Sequence, residues 1–463
     1  MNGGLKKTFS TKDALALAFG TMIGWGWIML SGTWALNSGM LGAMLAFVVG
    51  GIMSVFIGLA YAELTPMFPA TGGGIVYAYK SMGYWPAVIS GLAASFAYLG
   101  VAAWEGPAFS SAIDYIVPIP KICYLWTIRG QEVYFSSVLV AISAAILLIY
   151  INIRGAEVVA KFQTASIAII ILIGVLFALG SFVKGDFRNT APLVTNGSGF
   201  LKTLLMVPAM FVGFDVIPQT AGEMNIPLKK IPKLLIVSIF AAASWYVLMI
   251  FATCMSAPHS VRATGTIPVA DSMAYAFGSP FWGKICIIGA LFGIVTSWNG
   301  FLFAAARCIY AMSNARMFPA VFGKLNPKYH TPANAVILCG TISVAACFLG
   351  KGALEWFVNA SSFSVIIMYL MVDLAFIVLR IRQPELNRPY KVSNFKLISI
   401  LAVLSVAFSC YVYLPFGPSS LVSVEWLFVI GWFALGGLLS LFTKLKYKDL
   451  TSAERENLLM EKS

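Results

Sequence analysis

The chain has 463 residues, of which 59% are hydrophobic and 11% are charged, and its mean hydropathy is +0.86. Soluble domains contain about a quarter charged residues, so this composition excludes a soluble enzyme or binding module and indicates a protein embedded in a lipid bilayer. The net charge of +13 does not predict a nucleic-acid partner, because basic residues in short loops serve to orient membrane helices.

Twelve apolar runs are long enough to cross a bilayer, whose hydrocarbon core of about 30 Å is spanned by about 20 helical residues. In chain order the predicted spans are 13–37, 41–63, 84–117, 134–153, 160–183, 199–221, 234–256, 281–312, 332–350, 355–380, 397–414 and 423–443. The first run exceeds the apolar core of a signal peptide, which has about 7–15 residues, so we expect no cleaved leader. The pattern predicts an all-α polytopic membrane protein, with one membrane domain over residues 1–463 and tails at 1–12 and 444–463.

The distribution of basic residues over the loops predicts the orientation. Every second loop and the C-terminal tail are rich in lysine and arginine: Arg154, Lys161, Lys229, Lys230, Lys233, Arg316, Lys324, Lys328, Arg380, Arg382, Arg388, Lys391, Lys444, Lys446 and Lys448. The loops between them hold fewer basic residues. By the positive-inside rule we expect both termini in the cytoplasm and the protein in the cell membrane.

Cysteine and histidine spacing does not indicate a metal centre. The seven cysteines form no CxxC pair, and the two histidines are the widely separated His259 and His330. We therefore expect neither a zinc site nor a disulfide framework, and no resident cofactor apart from a sodium ion considered below.

Glycine and proline interrupt two of the predicted spans. The interrupting residues are Gly20, Gly24 and Gly26 in the first span, and Pro208, Gly213, Pro218 and Gly222 in the sixth. Each glycine weakens a helix by about 1 kcal/mol relative to alanine. Discontinuous helices at corresponding places of two halves are typical of inverted-repeat transporters, whose substrate site lies at the midplane. The alternative is a kinked helix at a close helix–helix contact, since small residues also promote packing in membranes.

Five motifs follow one another along the chain. They are Gly20-x-x-Ile23-Gly24-x-Gly26; "YAELTPMFPATGGGIVYAY" from Tyr61 to Tyr79; Phe211, Gly213, Phe214, Asp215, Ala221, Glu223, Pro227, Ile231 and Pro232; Arg307, Tyr310, Ala311, Met312 and Pro319; and "LRIRQPELNRPY" from Leu379. In this combination the chain resembles the amino acid–polyamine–organocation (APC) superfamily of secondary transporters over nearly its whole length.

The resemblance implies a fold like that of the leucine transporter (LeuT). Helices 1–5 (about 13–183) and helices 6–10 (about 199–380) would form two inverted halves, with helices 1 and 6 discontinuous. Helices 11–12 (about 397–443) would be added to this 5+5 core of a twelve-helix protein.

The resemblance also implies a permease that moves an amino acid or related amine by alternating access, as an ion-coupled symporter or as an exchanger. A channel or a membrane-embedded enzyme is the competing interpretation. The sequence contains no nucleophile or metalloprotease motif for an enzyme, and no ring of charges for an ion filter. The expected partners are the bilayer and a small zwitterionic or cationic substrate; the sequence does not indicate an oligomeric state.

The broken helices predict the substrate site. Backbone N–H and C=O groups freed at the breaks would hold the carboxylate and the ammonium of a zwitterion. The candidate binding residues are Thr21, Ile23, Gly24, Trp25, Gly26, Glu105, Phe211, Gly213, Phe214 and Asp215. Trp25 is a better candidate than Trp27 for an aromatic wall, and the alternative for either ring is packing against the scaffold.

Acidic residues inside membrane spans are costly and are therefore candidates for function. Glu105 would pair with a substrate ammonium or bind a proton, and Asp215 directly follows the break in the sixth span. The alternative for both is a structural ion pair. We expect Glu63 to be structural, and Asp373 to lie near the interface or to pair with a basic residue. Because helices one, three, six and eight offer no matching basic residue, the sequence favours a zwitterionic or cationic substrate over an acidic one.

The resemblance further implies a sodium site between the first and eighth helices. Its candidate ligands are the carbonyls of Gly20, Ile23 and Gly293 and the hydroxyls of Thr296 and Ser297. In proton-coupled and some exchanging relatives a lysine of the fifth helix replaces the ion, and an ungapped alignment puts Ile170 at that position. Sodium is therefore slightly favoured over a proton. The alternative is that both hydroxyls bond back to carbonyls of their own helix.

Overall fold

The computed structural model describes residues 5–265 and 267–460, so the outermost residues of both predicted tails lie outside the described part of the chain. The helices are α1 (Thr11–Met22), α2 (Gly26–Ser38), α3 (Met40–Met67), α4 (Gly74–Met82), α5 (Tyr84–Ile116), α6 (Phe135–Arg154), α7 (Ala156–Lys184), α8 (Gly197–Met210), α9 (Val216–Gln219), α10 (Ile231–Ser256), α11 (His259–Thr264), α12 (Pro268–Phe277), α13 (Pro280–Asn314), α14 (Ala333–Cys347), α15 (Leu354–Arg382), α16 (Phe395–Tyr413), α17 (Ser423–Lys446) and α18 (Ser452–Leu459).

The described residues confirm a helical, polytopic membrane protein but not the predicted count of twelve spans. Nine of their helices are long and apolar enough to cross a bilayer, and the count is ten if α1 and α2, which are bent by 50° at their junction, form one span. The ninth predicted run forms α14, which has only 15 residues, and the sixth is divided between α8 and α9. Length and composition alone therefore do not establish the remaining two spans.

The most buried helices are α5 and α13, which lie at the centre of the bundle. Within the most apolar window of each helix, 78% of α5 and 72% of α13 is buried, against 33% of α16 and 22% of α17. Large apolar side chains of α17, such as Leu427, Leu438 and Phe442, remain exposed on the outside of the bundle. An apolar surface of this kind can face lipid, so α16 and α17 lie at the periphery of the bundle. Helices α5 and α13 form its core.

A β-hairpin lies between α5 and α6. Strand β1 (Tyr124–Ile128) pairs antiparallel with β2 (Gln131–Tyr134). The connecting residues Arg129 and Gly130 both have positive φ, at 50° and 77°, as a two-residue hairpin turn requires. The turn projects Arg129 towards the start of α15, where its Nη1 lies 2.5 Å from Glu355 Oε2.

Both ends of the chain attach to the same end of the bundle, which we call the tail side. The N–H of Thr8 donates to the carbonyl of Glu223 (2.9 Å). At the other terminus, Asn314 at the end of α13 donates to the carbonyl of Leu458 in α18 (2.7 Å). This arrangement brings the two tails close to the tail-side end of α13.

Candidate functional site

The first helix is broken at Ile23–Trp25, between α1 and α2. The carbonyl of Met22 accepts a hydrogen bond from the Tyr246 hydroxyl of α10 (2.8 Å), so one freed backbone group is held by a side chain. The N–H groups of Gly24 and Trp25 have no acceptor among the described residues. Freed N–H groups at the start of a helix are suited to bind a carboxylate.

The break in the sixth helix lies directly against the break in the first. Helix α8 contains Pro208 and ends at Met210, and residues 211–215 form turns before α9. Gly213 has φ +133°, and a Cβ built on it would lie 2.9 Å from the backbone nitrogen of Met22. Only glycine fits both this conformation and this close approach, which explains why the two breaks can be neighbours.

A cavity of about 950 Å³ reaches from these breaks to the end of the bundle opposite the tails. Its deep part is lined by the predicted residues Thr21, Gly24, Trp25, Gly26, Glu105 and Ser297, together with Met22, Trp104, Met210, Tyr246 and Phe301. Its mouth includes Arg129, Lys202, Glu355 and Glu425. The cavity is large enough for an amino acid, and its walls are mainly apolar with a few polar groups, as is usual for a small-molecule site.

Glu105 supplies an acidic group in the deep part of the cavity. Its side chain is 1% exposed, and the Ser297 hydroxyl of α13 donates a hydrogen bond to its Oε1. Its Oε2 has no partner among the described residues. No arginine or lysine pairs with it there, so one carboxylate oxygen remains available to a cationic ligand group.

Asp215 is not among the residues that line the cavity. It accepts hydrogen bonds from Tyr98 of α5, from Tyr369 of α15 (3.2 Å) and from the N–H of Gly213 (2.9 Å). The side chain therefore ties the sixth-helix break to two long helices. We call this group of Tyr98, Asp215 and Tyr369 the Asp215 tether.

The other predicted residues of the sixth helix also lie behind the cavity wall. Phe214 is buried, with its ring stacked on Tyr369 at 5.6 Å, and Phe211 is buried in contact with Phe47. Gly213 packs against the backbone of Met22 at the end of α1. Ile23 is buried as well, so its backbone carbonyl, and not its side chain, is the candidate ligand-binding group.

The two tryptophans of the first break have different surroundings. Trp25 is 5% exposed and lines the cavity. Trp27 is fully buried, with its ring edge-on to Trp245 of α10 at 5.5 Å. Trp25 thus faces the cavity and Trp27 packs against the scaffold.

Of the candidate sodium ligands, Ile23, just after α1, lies beside Gly293 of α13. Gly20 instead faces Gln163 and Ile167 of α7. A Cβ built on Gly293 would lie 3.1 Å from the carbonyl oxygens of both Ile23 and Gly24, so the absence of a side chain there leaves these oxygens accessible. The Thr296 hydroxyl donates to the carbonyl of Gly293 (2.9 Å), and Ser297 is engaged by Glu105. Carbonyl and hydroxyl oxygens are ligands that a hard cation accepts, so the donor set fits sodium in type.

A row of buried amide side chains lies beside the candidate sodium ligands, and the sequence analysis did not predict it. Asn152 donates to Asn299 (2.8 Å), Asn299 donates to Gln163 (3.0 Å), and Gln163 donates to the carbonyl of Thr296 (3.1 Å). Gln163 Nε2 also lies 2.7 Å from where a Cβ of Gly20 would be. The amide of Gln163 on α7, the fifth predicted helix, is therefore the polar neighbour of α1 and α13, and Ile170 is not. In the sequence, the available signal was the presence of uncharged polar residues within apolar runs.

Ion pairs close the bundle on the tail side. Arg307 binds Glu223 through two hydrogen bonds (2.7 and 3.0 Å), and both side chains are buried. Glu63 accepts hydrogen bonds from Arg380 and Arg388, which agrees with the structural role expected for it. Asp373 forms no ion pair among the described residues, so of its two expected alternatives the pairing with a basic residue is wrong, and a place near the interface stays a prediction.

Comparison with known proteins supplies the family. The sequence profile described as amino acid permease matches residues 9–439. The chain is 28% identical over 423 residues to the branched-chain amino acid permease BcaP of Bacillus subtilis, covering 87% of each protein. It is 24% identical over 454 residues to the methylthioribose transporter of B. subtilis, covering 96% of this chain and 95% of that one. A third relative, the glutamate/serine transporter AimA of B. subtilis, is 28% identical over 436 residues, covering 88% of this chain and 77% of that one.

Proposed function

The chain belongs to the amino acid permease family, and from that premise we propose that it is a secondary active transporter of a zwitterionic or cationic amino acid or amine, acting by alternating access across the cell membrane. The family and the three relatives are transporters and not enzymes. The substrates named for these relatives differ in charge and size, so the substrate class has to be argued from the cavity.

The observation that carries the proposal is the pairing of two complementary groups in one cavity. The unbonded N–H groups of Gly24 and Trp25 are suited to a carboxylate, and the free Oε2 of Glu105 is suited to an ammonium. Gly24 brings the two groups close together, because a Cβ built on it would lie 3.3 Å from Glu105 Oε1. An α-amino acid carries a carboxylate and an ammonium on one carbon, which suits this spacing. Trp25 also lines the cavity and offers an aromatic face to a cationic group.

Alternating access requires a gate on each side of the site. In the described conformation the cavity opens away from the tails, and the Asp215 tether and the Arg307–Glu223 pair close the tail side. We propose that the tail side faces the cytoplasm, with both termini there, and that the tether opens to release substrate. We also propose that α8 with α9, and α14, complete twelve spans in a LeuT-like 5+5 arrangement.

Sodium is proposed as the coupling ion. Its ligands would be the carbonyls of Gly20, Ile23 and Gly293 with the Thr296 and Ser297 hydroxyls, and the accessible oxygens opposite Gly293 support this choice. A bound cation there would supply a positive charge near the freed backbone of the first helix. The second candidate is amino-acid exchange without an ion, which the engagement of both hydroxyls by other acceptors favours.

The experiment is transport by the purified protein in proteoliposomes. Vesicles are loaded with one member of an amino-acid and amine panel, and entry of the same labelled compound is followed in sodium and in choline buffer. We expect counterflow of a neutral or cationic compound, and faster net uptake with a sodium gradient. Absence of flux for the whole panel contradicts the proposal that the protein is a transporter. If glutamate or aspartate gives the highest flux, the proposed zwitterionic or cationic substrate is wrong. Counterflow without net uptake identifies an exchanger.

A further inference from the structure

Helix α15 carries a buried acidic residue, Asp373, that the substrate site does not use. Its side chain is 1% exposed, and neither carboxylate oxygen has a hydrogen-bond partner among the described residues. The arginine two turns further on, Arg380, is bound to Glu63 instead. Acidic residues within membrane spans are costly to bury, and they mark functional positions by default.

The elements packed against α15 bring no charge to Asp373. On α3 the titratable group within electrostatic reach is Tyr61, whose own hydroxyl also lacks a partner. Tyr77 of α4 donates to Thr65, and Tyr98 of α5 donates to Asp215. The charged groups of the neighbouring helices are engaged or exposed elsewhere: Lys80 with Glu456, Glu425 with Asn359, Lys444 over the rings of Tyr84 and Trp85, and Lys396 at the exposed start of α16.

Asp373 lies between two contacts that close the tail side. One turn before it on α15, Tyr369 donates to Asp215 (3.2 Å). Two turns after it, Arg380 holds Glu63 of α3. With a rise of about 1.5 Å per residue, Asp373 lies about 6 Å beyond the first contact and about 10 Å before the second. Opening of the tail side therefore has to separate the elements on both sides of this carboxyl group.

Three buried polar atoms on neighbouring elements also lack partners among the described residues. They are Tyr61 Oη, Ser90 Oγ and Gln219 Nε2. A Cβ built on Gly74 would lie 3.1 Å from Val372, the residue before Asp373, 3.2 Å from Ser90 Oγ and 4.0 Å from Gln219 Nε2. We call this junction of α3, α4, α5, α9 and α15 the tail-side seam. Buried polar groups without partners are uncommon, and water entering an opened seam would satisfy all of them.

We propose that Asp373 is a proton-binding site whose protonation permits closure of the tail-side seam, so that the transport rate depends on cytoplasmic pH. The inference rests on the alternating-access transport proposed above. When the seam opens, water hydrates Asp373 and its carboxylic O–H gives its proton to that water. Before the seam closes, a cytoplasmic proton binds the carboxylate again, because a bare carboxylate would lose its hydration without gaining a partner. The proton returns to the side from which it came, so this site regulates the cycle without moving a net proton.

The sign of the pH effect follows from that step. Closure consumes one proton from the cytoplasmic side, so the fraction of carriers able to close falls by up to about tenfold for each unit of pH above the pKa of the hydrated carboxyl group. Exchange requires repeated closure. We therefore expect the exchange rate to fall as the pH on the tail side rises.

The test measures counterflow in proteoliposomes while the pH on the tail side is varied from 6 to 8 and the pH at the cavity mouth is held constant. Orientation of the carriers is determined by trypsin cleavage of the tail that includes α18. The wild-type rate is expected to fall steadily over this range. Asp373→Asn and Asp373→Ser, which are neutral at every pH, are expected to exchange at a rate that does not change with pH. Glu385→Gln removes an exposed acidic residue just beyond α15 and should keep the wild-type profile.

Two results overturn the inference. One is a wild-type rate that is the same at every tail-side pH, which decides the matter even if neither variant folds. The other is a wild-type pH profile retained by Asp373→Asn or Asp373→Ser. A wild-type protein that shows no counterflow at any pH is a different result, since it rejects the proposed transport itself.

Discussion

The Ser297 hydroxyl donates a hydrogen bond to Oε1 of Glu105 and leaves Oε2 without a partner in the described part of the chain. The two residues lie on α13 and α5, the most buried helices of the bundle. Because Ser297 fixes the orientation of the carboxyl group, the free oxygen is preorganised for a ligand, and no rearrangement of the cavity wall is needed to present it.

The first prediction concerns the charge of Glu105. Glu105→Gln keeps the size of the side chain but removes the charge that would hold an ammonium. Hydrogen bonds to charged groups contribute about 1.5–3 kcal/mol, so we expect substrate affinity to fall by about 10- to 100-fold in calorimetric titration of the purified protein. Glu132→Gln, on the exposed hairpin, is the control and should bind as the wild type does. Equal affinity of Glu105→Gln and wild type would refute the role.

The second prediction concerns the space at Gly24. A Cβ there would lie 2.6 Å from Ser297 Oγ and 3.3 Å from Glu105 Oε1. Gly24→Ala should therefore displace the carboxyl group and occupy the ligand position, at a cost of about 1–3 kcal/mol, and counterflow should be lost or reduced at least about tenfold. The control is Gly431→Ala in α17, where a Cβ would meet nothing within 4 Å. Retention of wild-type KM by Gly24→Ala would place the substrate elsewhere.

The third prediction separates Trp25 from Trp27. Trp25→Ala should enlarge the cavity and allow larger side chains to be transported, because Trp25 forms part of the wall. Trp27→Ala should lower stability by about 3–5 kcal/mol, because its fully buried ring packs on Trp245, and should leave the order of preferred substrates unchanged. Thermal unfolding and a competition panel are measured on both variants. The same change in selectivity from both would contradict the assignment.

Much of this architecture could be predicted from the sequence because its strongest signals are local. Apolar runs predicted most helix bounds to within a few residues, as at 84–117 for Tyr84–Ile116. Glycine and proline predicted both breaks, since their effect on a helix does not depend on distant residues. The count of twelve spans is not established in the same way, because α14 is short and Pro208, Gly213 and Pro218 interrupt the sixth run.

The direction in which each side chain points could not be predicted in the same way. Asp215 was expected to face a ligand, but its surroundings are set by Tyr98 and Tyr369, which are 117 and 154 residues away in sequence. The amide of Gln163 beside Gly20 was overlooked for the same reason. These contacts depend on how helices pack, and no local pattern encodes them.

The fourth prediction concerns the Asp215 tether. Tyr369→Phe removes one donor to Asp215 and should weaken the closed tail side by about 1–3 kcal/mol. Cys308, which is fully buried with its Sγ 3.5 Å from Gln219 Oε1, reports opening of this side. Its labelling by a maleimide should become about tenfold faster, as measured by mass spectrometry of the peptide. Tyr411→Phe, at an exposed position of α16, should leave the rate unchanged. Unchanged labelling of Cys308 in Tyr369→Phe would show that the tether does not hold the tail side closed.

The last prediction concerns sodium. If the carbonyl oxygens opposite Gly293 bind the ion, sodium should raise the unfolding midpoint of the wild type relative to choline, with a gain of about 2.7 kcal/mol at a concentration 100 times the Kd. Gly293→Ala places a methyl group 3.1 Å from the oxygens of Ile23 and Gly24 and should abolish this difference. Gly437→Ala, whose Cβ would meet nothing within 4 Å, should retain it. A wild-type midpoint that is equal in sodium and choline would contradict the site, and the Thr296 hydroxyl would then serve only its bond to the carbonyl of Gly293.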